Sequence, residues 1–238
     1  MGARPADGFL LNPHQRGVVL WRWAVFLLAA GYCLYQLIIS ADYGAPGGPF
    51  RFLTIWALIM SFWAASRMLA ISERRTETDW SAWVAVTAVV NALVVLLYWR
   101  LWFQDPALVN SNGPVVWHQE YYLHLVGPVL QWIDALFVYG AIRALWRPAL
   151  GLAAVIAAYI AWIELFVSRR NDFPYGREAT GFPYPFLNNL TFDGRAEFYL
   201  TTAVTGFVFL GVFGAAAWAV RRRAGVQRPA SNALSPDR

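Results

Sequence analysis

Six long apolar segments constrain this chain more than any other feature of its sequence. They cover residues 18–39, 52–71, 80–103, 121–142, 148–168 and 198–220. A helix of about 20 apolar residues crosses a bilayer core. Lipid offers no partner for free backbone N–H and C=O groups, so spanning segments of this kind must be helical. We therefore predict an all-α, polytopic membrane protein in which residues 1–224 form a bundle of six transmembrane helices.

The composition agrees with lipid as the main solvent of the chain. Hydrophobic residues make up 58% of the sequence and charged residues only 14%, whereas a soluble domain has about 25% charged residues. The net charge of +5 comes from arginines that lie between the apolar segments, so we expect no binding of nucleic acid. The single cysteine, Cys33, excludes a disulfide or a cysteine-based metal site within one chain.

The positions of the arginines predict the orientation of the bundle. Basic residues cluster in the N-terminal tail, around the second and fourth loops, and after the last segment: Arg4, Arg16, Arg67, Arg74, Arg75, Arg143, Arg147, Arg221, Arg222 and Arg223. Because cytoplasmic loops carry the excess of basic residues, both termini are predicted to be cytoplasmic. Arginine to the exclusion of lysine suggests a GC-rich genome and hence a bacterial inner membrane. Residues 225–238 are predicted to be a disordered tail.

Two predicted spans and one loop bring polar residues to the same side of the membrane. The second span begins at the outer surface near Phe50, which places Thr54 about 6 Å below that surface. The fourth span begins at the outer surface near Glu120, so His124 lies at a similar depth. The external fifth loop contains Tyr184. Thr54, His124 and this loop are therefore predicted to meet in the outer leaflet.

A hydroxyl next to a histidine is the minimal pair for nucleophilic catalysis. The imidazole accepts the proton as the oxygen attacks a carbonyl carbon. A threonine in a membrane helix also commonly bonds its own backbone or a neighbouring helix. Ionisable groups inside a membrane, in contrast, are rare and usually functional. The residues alone leave both the catalytic and the structural interpretation of Thr54 and His124 open.

Two carboxylates lie within the predicted spans. Glu164, near the outer end of the fifth span, either orients His124 as the third member of a triad or is a protonated packing residue. Asp134 lies about 15 Å deeper than His124. A carboxylate at that depth needs a partner such as Arg67 or a helix dipole, unless it lines a polar cavity.

The remaining polar residues of the spans are better explained by structure. Asn91 and Gln131 are predicted to form hydrogen bonds between helices. His118, Glu120 and His124 suggest a metal site, but the two histidines are separated by about 240° around a helix and do not share a face. No second cluster of ligands exists in the sequence, and we expect neither a metal ion nor a cofactor.

Three motifs around these residues resemble those of the androgen-induced membrane protein family, which includes the androgen-dependent regulator of tissue factor pathway inhibitor. GGPFRFLTIW, residues 47–56, is similar to the family's Gly-Gly-x-aromatic-basic-aromatic-Leu-Thr signature. YLHLVGPVLQWID, residues 122–134, resembles its histidine helix, and PYPFLNNL, residues 183–190, resembles its loop before the last helix. The motifs occur in the family's order.

The resemblance implies six transmembrane helices and threonine hydrolase activity, since animal members of the family hydrolyse fatty acid esters of hydroxy fatty acids. It places the nucleophile at Thr54 and the catalytic histidine at His124. The expected function is thus an intramembrane, threonine-dependent hydrolase of fatty acyl esters. Membrane lipids and a small lipid ester are the expected partners.

The chain also departs from the family pattern. Arg51 stands where animal members have lysine, and Pro128 is one residue closer to the histidine. Ala57 and Met60 occupy positions where many members have Asp or Asn and Gln, respectively. The alternative function is therefore a non-catalytic lipid-binding or sensing protein that uses the same cavity. A secondary transporter is not supported, because the sequence lacks a repeat and paired helix breaks.

Two further residues have both a functional and a structural interpretation. Tyr184 would donate a hydrogen bond to the developing oxyanion, or it is a tyrosine of the membrane interface. Arg51 would attract a free carboxylate of the substrate, or its side chain extends to the lipid headgroups.

Overall fold

A computed structural model describes residues 9–109, 115–170 and 181–225 of the chain. The regular secondary structure of these residues is helical, which confirms the predicted all-α class. In chain order the helices are α1 (Arg16–Ile39), α2 (Leu53–Ser72), α3 (Ser81–Gln104), α4 (117–138), α5 (Trp146–Arg170), α6 (Pro185–Asn188) and α7 (Phe192–Arg223). Apart from Gly225, the tail predicted to be disordered lies outside the described residues.

Five of these helices, α1, α2, α3, α5 and α7, are long and apolar enough to cross a membrane. The protein is therefore a multi-pass membrane protein. Helix α4 covers most of the predicted fourth span but is not among these five. It ends at Val138 rather than near residue 142, because Gly140 adopts a left-handed φ of 65° that an α-helix cannot continue through. The count of six spans and the orientation of the termini stay predictions.

Helix α3 is the centre of the bundle. It contacts α2, α4, α5 and α7, and Ala85, Ala88, Val89 and Val90 along it are at most 1% exposed. Lipid tails are as apolar as leucine, so helices in a membrane associate through close packing, which small side chains permit. The sequence of α3 supplies such side chains on several faces, and this explains its central position.

The outer helices present large apolar side chains to their surroundings. Leu27 on α1 is 58% exposed, Leu150 on α5 is 65% exposed, and Leu200 on α7 is 67% exposed. Soluble monomers rarely expose contiguous apolar surface of this kind. These faces of α1, α5 and α7 are the surface that lipid covers.

Polar side chains in the interior join the helices by hydrogen bonds. The Asn91 amide on α3 donates to Ser61 Oγ on α2 at 2.8 Å and to the carbonyl of Thr87 at 2.9 Å. Gln131 on α4 donates to the carbonyl of Ser61 at 3.1 Å. The hydrogen bonds between helices that the sequence predicts for Asn91 and Gln131 are confirmed, and Ser61 is where they meet.

A buried ion pair ties α4 to α1. Arg22 and Asp134 are 1% and 5% exposed, and the guanidinium donates to both carboxylate oxygens, at 2.8 Å from Nε and 3.0 Å from Nη2. Arg22 also donates to the carbonyl of Met68 and to Ser72 Oγ on α2. The three helices are therefore fixed to one another at the end of the bundle where α2 ends.

The sequence suggested Arg67 as the partner of Asp134, and the structure corrects this. The Arg67 guanidinium lies 4.6 Å from the centre of the Trp63 ring, one helical turn away on α2. Arg22 lies on the face of α1 that packs against α2 and α4, where the Nε and Nη2 edge of its guanidinium contacts both carboxylate oxygens of Asp134.

The predicted orientation can be tested by labelling single cysteines. In a Cys33→Ala background, Ala107→Cys lies in the loop between α3 and α4 and Glu77→Cys in the loop between α2 and α3, both at exposed positions. A membrane-impermeant maleimide is expected to label Ala107→Cys in intact cells and Glu77→Cys only after permeabilisation. The reverse pattern would contradict cytoplasmic termini, and labelling of both from one side would contradict the span count.

Breaking the buried ion pair is expected to destabilise the protein strongly. Arg22→Met or Asp134→Leu alone leaves an unpaired charge in the interior and should lower the free energy of unfolding by about 3–5 kcal/mol. The double variant removes both charges and should recover most of the loss. Thermal unfolding in detergent measures this, with the exposed Arg100→Met as control. Single variants as stable as wild type would contradict the role of the pair.

Candidate functional site

Thr54 lies in the first turn of α2, just after a sharp turn of the chain. Gly47 and Gly48 have left-handed φ angles of 80° and 50°, and a β-carbon on Gly47 would lie 2.9 Å from Val167 Cγ2. Pro49 follows within a short 3₁₀ turn, Gly48–Arg51. The glycine pair and the proline of the first motif thus build the turn that delivers Thr54 to the start of the helix.

Hydrogen bonds from two tyrosines fix the start of α2. The Tyr184 hydroxyl accepts the N–H of Leu53 at 3.1 Å, and the Tyr159 hydroxyl donates to the carbonyl of Arg51 at 2.9 Å. The first N–H groups of a helix have no partner within the helix, so Tyr184 serves as their acceptor at one position. Burial raises the pKa of the Tyr184 phenol, which keeps it protonated.

The histidine lies in a widened segment of α4. Tyr122–Val126 is π-helical, and such segments are frequent at functional sites. Pro128 has no N–H to give to the carbonyl of His124, four residues before it. The indole of Trp99 on α3 donates to that carbonyl instead, at 2.8 Å. The carbonyl of His124 therefore has a partner on a neighbouring helix.

The imidazole of His124 is held by stacking as well. Its ring lies parallel to that of Tyr98 on α3, with ring centroids 3.5 Å apart and an angle of 6° between the planes. Tyr98 and Trp99 are adjacent in sequence, so one position on α3 holds both the ring and the backbone of His124. The histidine is 5% exposed.

Thr54, His124 and Glu120 form a chain of polar contacts. His124 Nε2 lies 3.3 Å from Thr54 Oγ1, and Nδ1 lies 3.1 Å from Glu120 Oε2 and 3.2 Å from the Glu120 carbonyl oxygen. Because Nδ1 faces two acceptors, it carries the ring hydrogen. The lone pair of Nε2 then faces the threonine hydroxyl, as general-base catalysis requires.

A cavity of about 350 Å³ opens beside this chain of contacts. Its volume is within the range of small-molecule sites, about 300–1,000 Å³. Apolar side chains form most of the wall, from α3 and α5 in particular: Val90, Leu93, Val94, Leu97, Leu101, Val155, Ile156, Ile160 and Ile163. Thr54, Glu120 and His124 all line it, so a ligand in the cavity would contact them directly.

The other predicted site residues divide between this cavity and other parts of the fold. Tyr184 and Arg51 line the cavity, and Arg51 Nη2 lies 3.5 Å from the exposed carboxylate of Asp42. Asp134 belongs to the ion pair at the far end of α4.

Glu164 accepts hydrogen bonds from Arg195 Nε at 3.0 Å and from Tyr199 at 2.8 Å. The carboxylate on His124 is that of Glu120, not that of Glu164.

Sequence reasoning gave Glu120 no role at the histidine, although a signal was present. Glu120 and His124 are spaced i, i+4 on one helix, which places their side chains on one face. Gln36 also lines the cavity, and its signal was a lone amide within the apolar first segment. Nothing in the sequence distinguishes Tyr98 and Trp99 from ordinary aromatic residues of a helix end.

Comparison with known proteins supports the resemblance of the motifs. The family model described as FAR-17a/AIG1-like protein matches residues 24–215, which include Thr54, Glu120, His124 and Tyr184. Comparisons with curated proteins and with solved structures give no significant match. Because the family model covers most of the chain, the protein belongs to the FAR-17a/AIG1-like family.

Proposed function

We propose that the protein is an intramembrane hydrolase that uses Thr54 as nucleophile to cleave fatty acyl esters. The observation that supports this most directly is the contact of 3.3 Å between Thr54 Oγ1 and His124 Nε2 inside a cavity with apolar walls. A threonine with only a packing role would not require a histidine nitrogen within hydrogen-bond distance. Here that imidazole is held by Tyr98 at its face and by Glu120 at Nδ1.

In the first step the threonine oxygen attacks the ester carbonyl carbon. The Thr54 proton passes to His124 Nε2, a bond forms between Thr54 Oγ1 and the carbonyl carbon, and the carbonyl electron pair becomes an oxyanion. The Glu120 carboxylate stabilises the imidazolium through Nδ1–H. The intermediate then expels the alcohol oxygen, which takes the proton from Nε2, and leaves an acyl-threonine.

In the second step water replaces the alcohol. A water molecule gives its proton to His124 Nε2 and attacks the acyl carbon, and the proton then returns to Thr54 Oγ1 as the fatty acid leaves. Ser40 and Asp42 line the cavity and are exposed, so this side supplies a path for water. The start of α2 adds favourable partial charge, because helix N-termini stabilise anions.

The shape and chemistry of the cavity favour a long-chain acyl group. The aliphatic wall from α3 and α5 gains free energy by covering methylene groups, at about 0.8 kcal/mol for each one buried. Arg51 at the cavity contacts the carboxylate of Asp42, and a free carboxylate of the substrate would compete with Asp42 for the guanidinium. A fatty acyl ester whose second part carries a carboxylate satisfies both features.

The positions that favoured a non-catalytic protein lie away from the polar chain. Ala57 and Met60 pack in an apolar cluster with Val86, Val89 and Leu152. The contacts among Thr54, His124 and Glu120 involve neither of them. The absence of polar residues at these two positions is therefore compatible with catalysis.

Removing either partner of the pair is expected to abolish turnover. Thr54→Val keeps the shape of the side chain without its hydroxyl, and His124→Asn removes the base. Each should lower the rate of hydrolysis of a fluorogenic fatty ester by about 10³-fold or more. The rate is measured on purified protein in detergent, with Thr54→Ser as the matched variant that keeps a hydroxyl and measurable activity.

Covalent labelling identifies the nucleophile independently. A fluorophosphonate probe is expected to modify Thr54 in wild type and not in Thr54→Val, as mass spectrometry of the labelled peptide would show. Labelling that persists in Thr54→Val would contradict the assignment. Wild type that retains a fluorescent lipid but neither labels nor hydrolyses any ester would favour the lipid-binding alternative.

The two carboxylates are expected to differ sharply on substitution. Glu120→Gln removes the charge that orients and stabilises His124 and should lower kcat by about 10²–10⁴-fold. Glu164→Gln is the matched control, because its carboxylate contacts Arg195 and Tyr199 instead. It should change kcat by less than about threefold. A larger loss in Glu164→Gln than in Glu120→Gln would restore Glu164 as the third member.

A further inference from the structure

The side-chain amide of Gln36 carries N–H groups that have no hydrogen-bond acceptor among the described residues. The residue lies in the π-helical segment Tyr35–Ile39 at the end of α1 and is only 6% exposed. Its amide nitrogen is buried and has no hydrogen-bond partner among the described residues. Buried polar groups are normally paired, so an unpaired donor beside a candidate site is available to a ligand.

The packing of α1 on α2 places Gln36 level with the nucleophile. Cys33 Sγ lies 3.9 Å from the carbonyl oxygen of Leu58, and the two helices follow each other in the chain as an antiparallel pair. Gln36 is one turn beyond Cys33 along α1, and Thr54 is one turn before Leu58 along α2. At the rise of an α-helix, the two positions differ in height by about 1.5 Å.

His124 lies at the same height in the bundle as Gln36 and Thr54. Leu123, the neighbour of His124, packs in one apolar cluster with Cys33 and Leu58. Gln36, Thr54 and His124 also line the same cavity. Gln36 therefore lies in the wall of the same cavity, at about the height at which the ester carbonyl must lie when Thr54 attacks it.

Three of the tyrosine hydroxyls that line the cavity have partners within the protein. The Tyr159 hydroxyl donates to the carbonyl of Arg51, and that of Tyr199 donates to Glu164. Tyr184 accepts the N–H of Leu53 and its oxygen is held at the start of α2. Gln36 carries N–H groups that no described residue accepts.

We propose that the Gln36 side chain donates an N–H to the carbonyl oxygen of the bound ester and stabilises the oxyanion that forms on it. This rests on the proposed hydrolase function. The amide gives up no proton, since it only shortens its hydrogen bond as negative charge develops on the oxygen. Preorganised donors of this type act mainly on the transition state, so Gln36 is a catalytic residue that affects kcat more than KM.

Kinetics of Gln36→Leu test the proposal. The expected result is a fall in kcat of about 10²–10³-fold with KM changed by less than about threefold, because one donor to the oxyanion is lost and ground-state binding is kept. Gln104→Leu is the matched control: Gln104 is exposed at the end of α3, away from the cavity lining, and kcat should stay close to that of wild type.

Two further measurements separate catalysis from a structural role. Inhibition by a long-chain trifluoromethyl ketone, which forms a tetrahedral oxyanion on Thr54, should weaken in proportion to the loss of kcat/KM. Inhibition by the product fatty acid should not change. The melting temperature of Gln36→Leu should equal or exceed that of wild type, since an unpaired donor is replaced by an apolar side chain.

The outcomes distinguish this inference from the function on which it rests. If wild type hydrolyses the ester and folded Gln36→Leu retains kcat within threefold, the role of Gln36 is overturned and the hydrolase stands. If wild type neither hydrolyses esters nor labels at Thr54, both are overturned. Should Gln36→Leu fail to fold, the near-isosteric Gln36→Glu, which exchanges the N–H donors for a carboxylate, must show the same loss of kcat.

Discussion

The buried pair of Arg22 and Asp134 determines how α4 is seated in the bundle. Helix α4 does not qualify as a span by apolarity alone, so general hydrophobic packing specifies its position poorly. Two charges removed from water must meet with good geometry or cost several kcal/mol. Only one axial position of α4 satisfies them, and Ser61 with Gln131 reinforces it. That position brings His124, about 15 Å along the helix, to Thr54.

At the other end of α4 the local backbone is arranged around the histidine. Pro128 frees the carbonyl of His124, Trp99 takes it up, and Tyr98 covers the ring. Thr54, the proposed nucleophile, is positioned in a similar way by the glycine turn before α2. The candidate site therefore lies on helices rather than on loops, and helices hold a contact such as that between Thr54 and His124 more precisely.

The helical class, five of the predicted spans and the contact between Thr54 and His124 could be predicted from the sequence, because apolar length and depth along a helix are one-dimensional properties. The rotation of each helix about its axis is not such a property. Sequence depth alone therefore suggests Arg67 for Asp134, which Arg22 faces, and Glu164 for His124, which Glu120 contacts. The π-helical segments that hold Gln36 and His124 have no counterpart in hydrophobic periodicity.

The parallel stacking of Tyr98 on His124 has a consequence for the order of events in a reaction cycle. The His124 ring is held between the face of Tyr98 and the carboxylate of Glu120, so it cannot rotate between two positions. Nε2 must therefore exchange every proton at one point. In the proposed hydrolysis, the departing alcohol and the arriving water would therefore need the same position beside Nε2. The alcohol would have to leave before water could enter, and a bulky alcohol that leaves slowly would delay hydrolysis of the acyl-threonine.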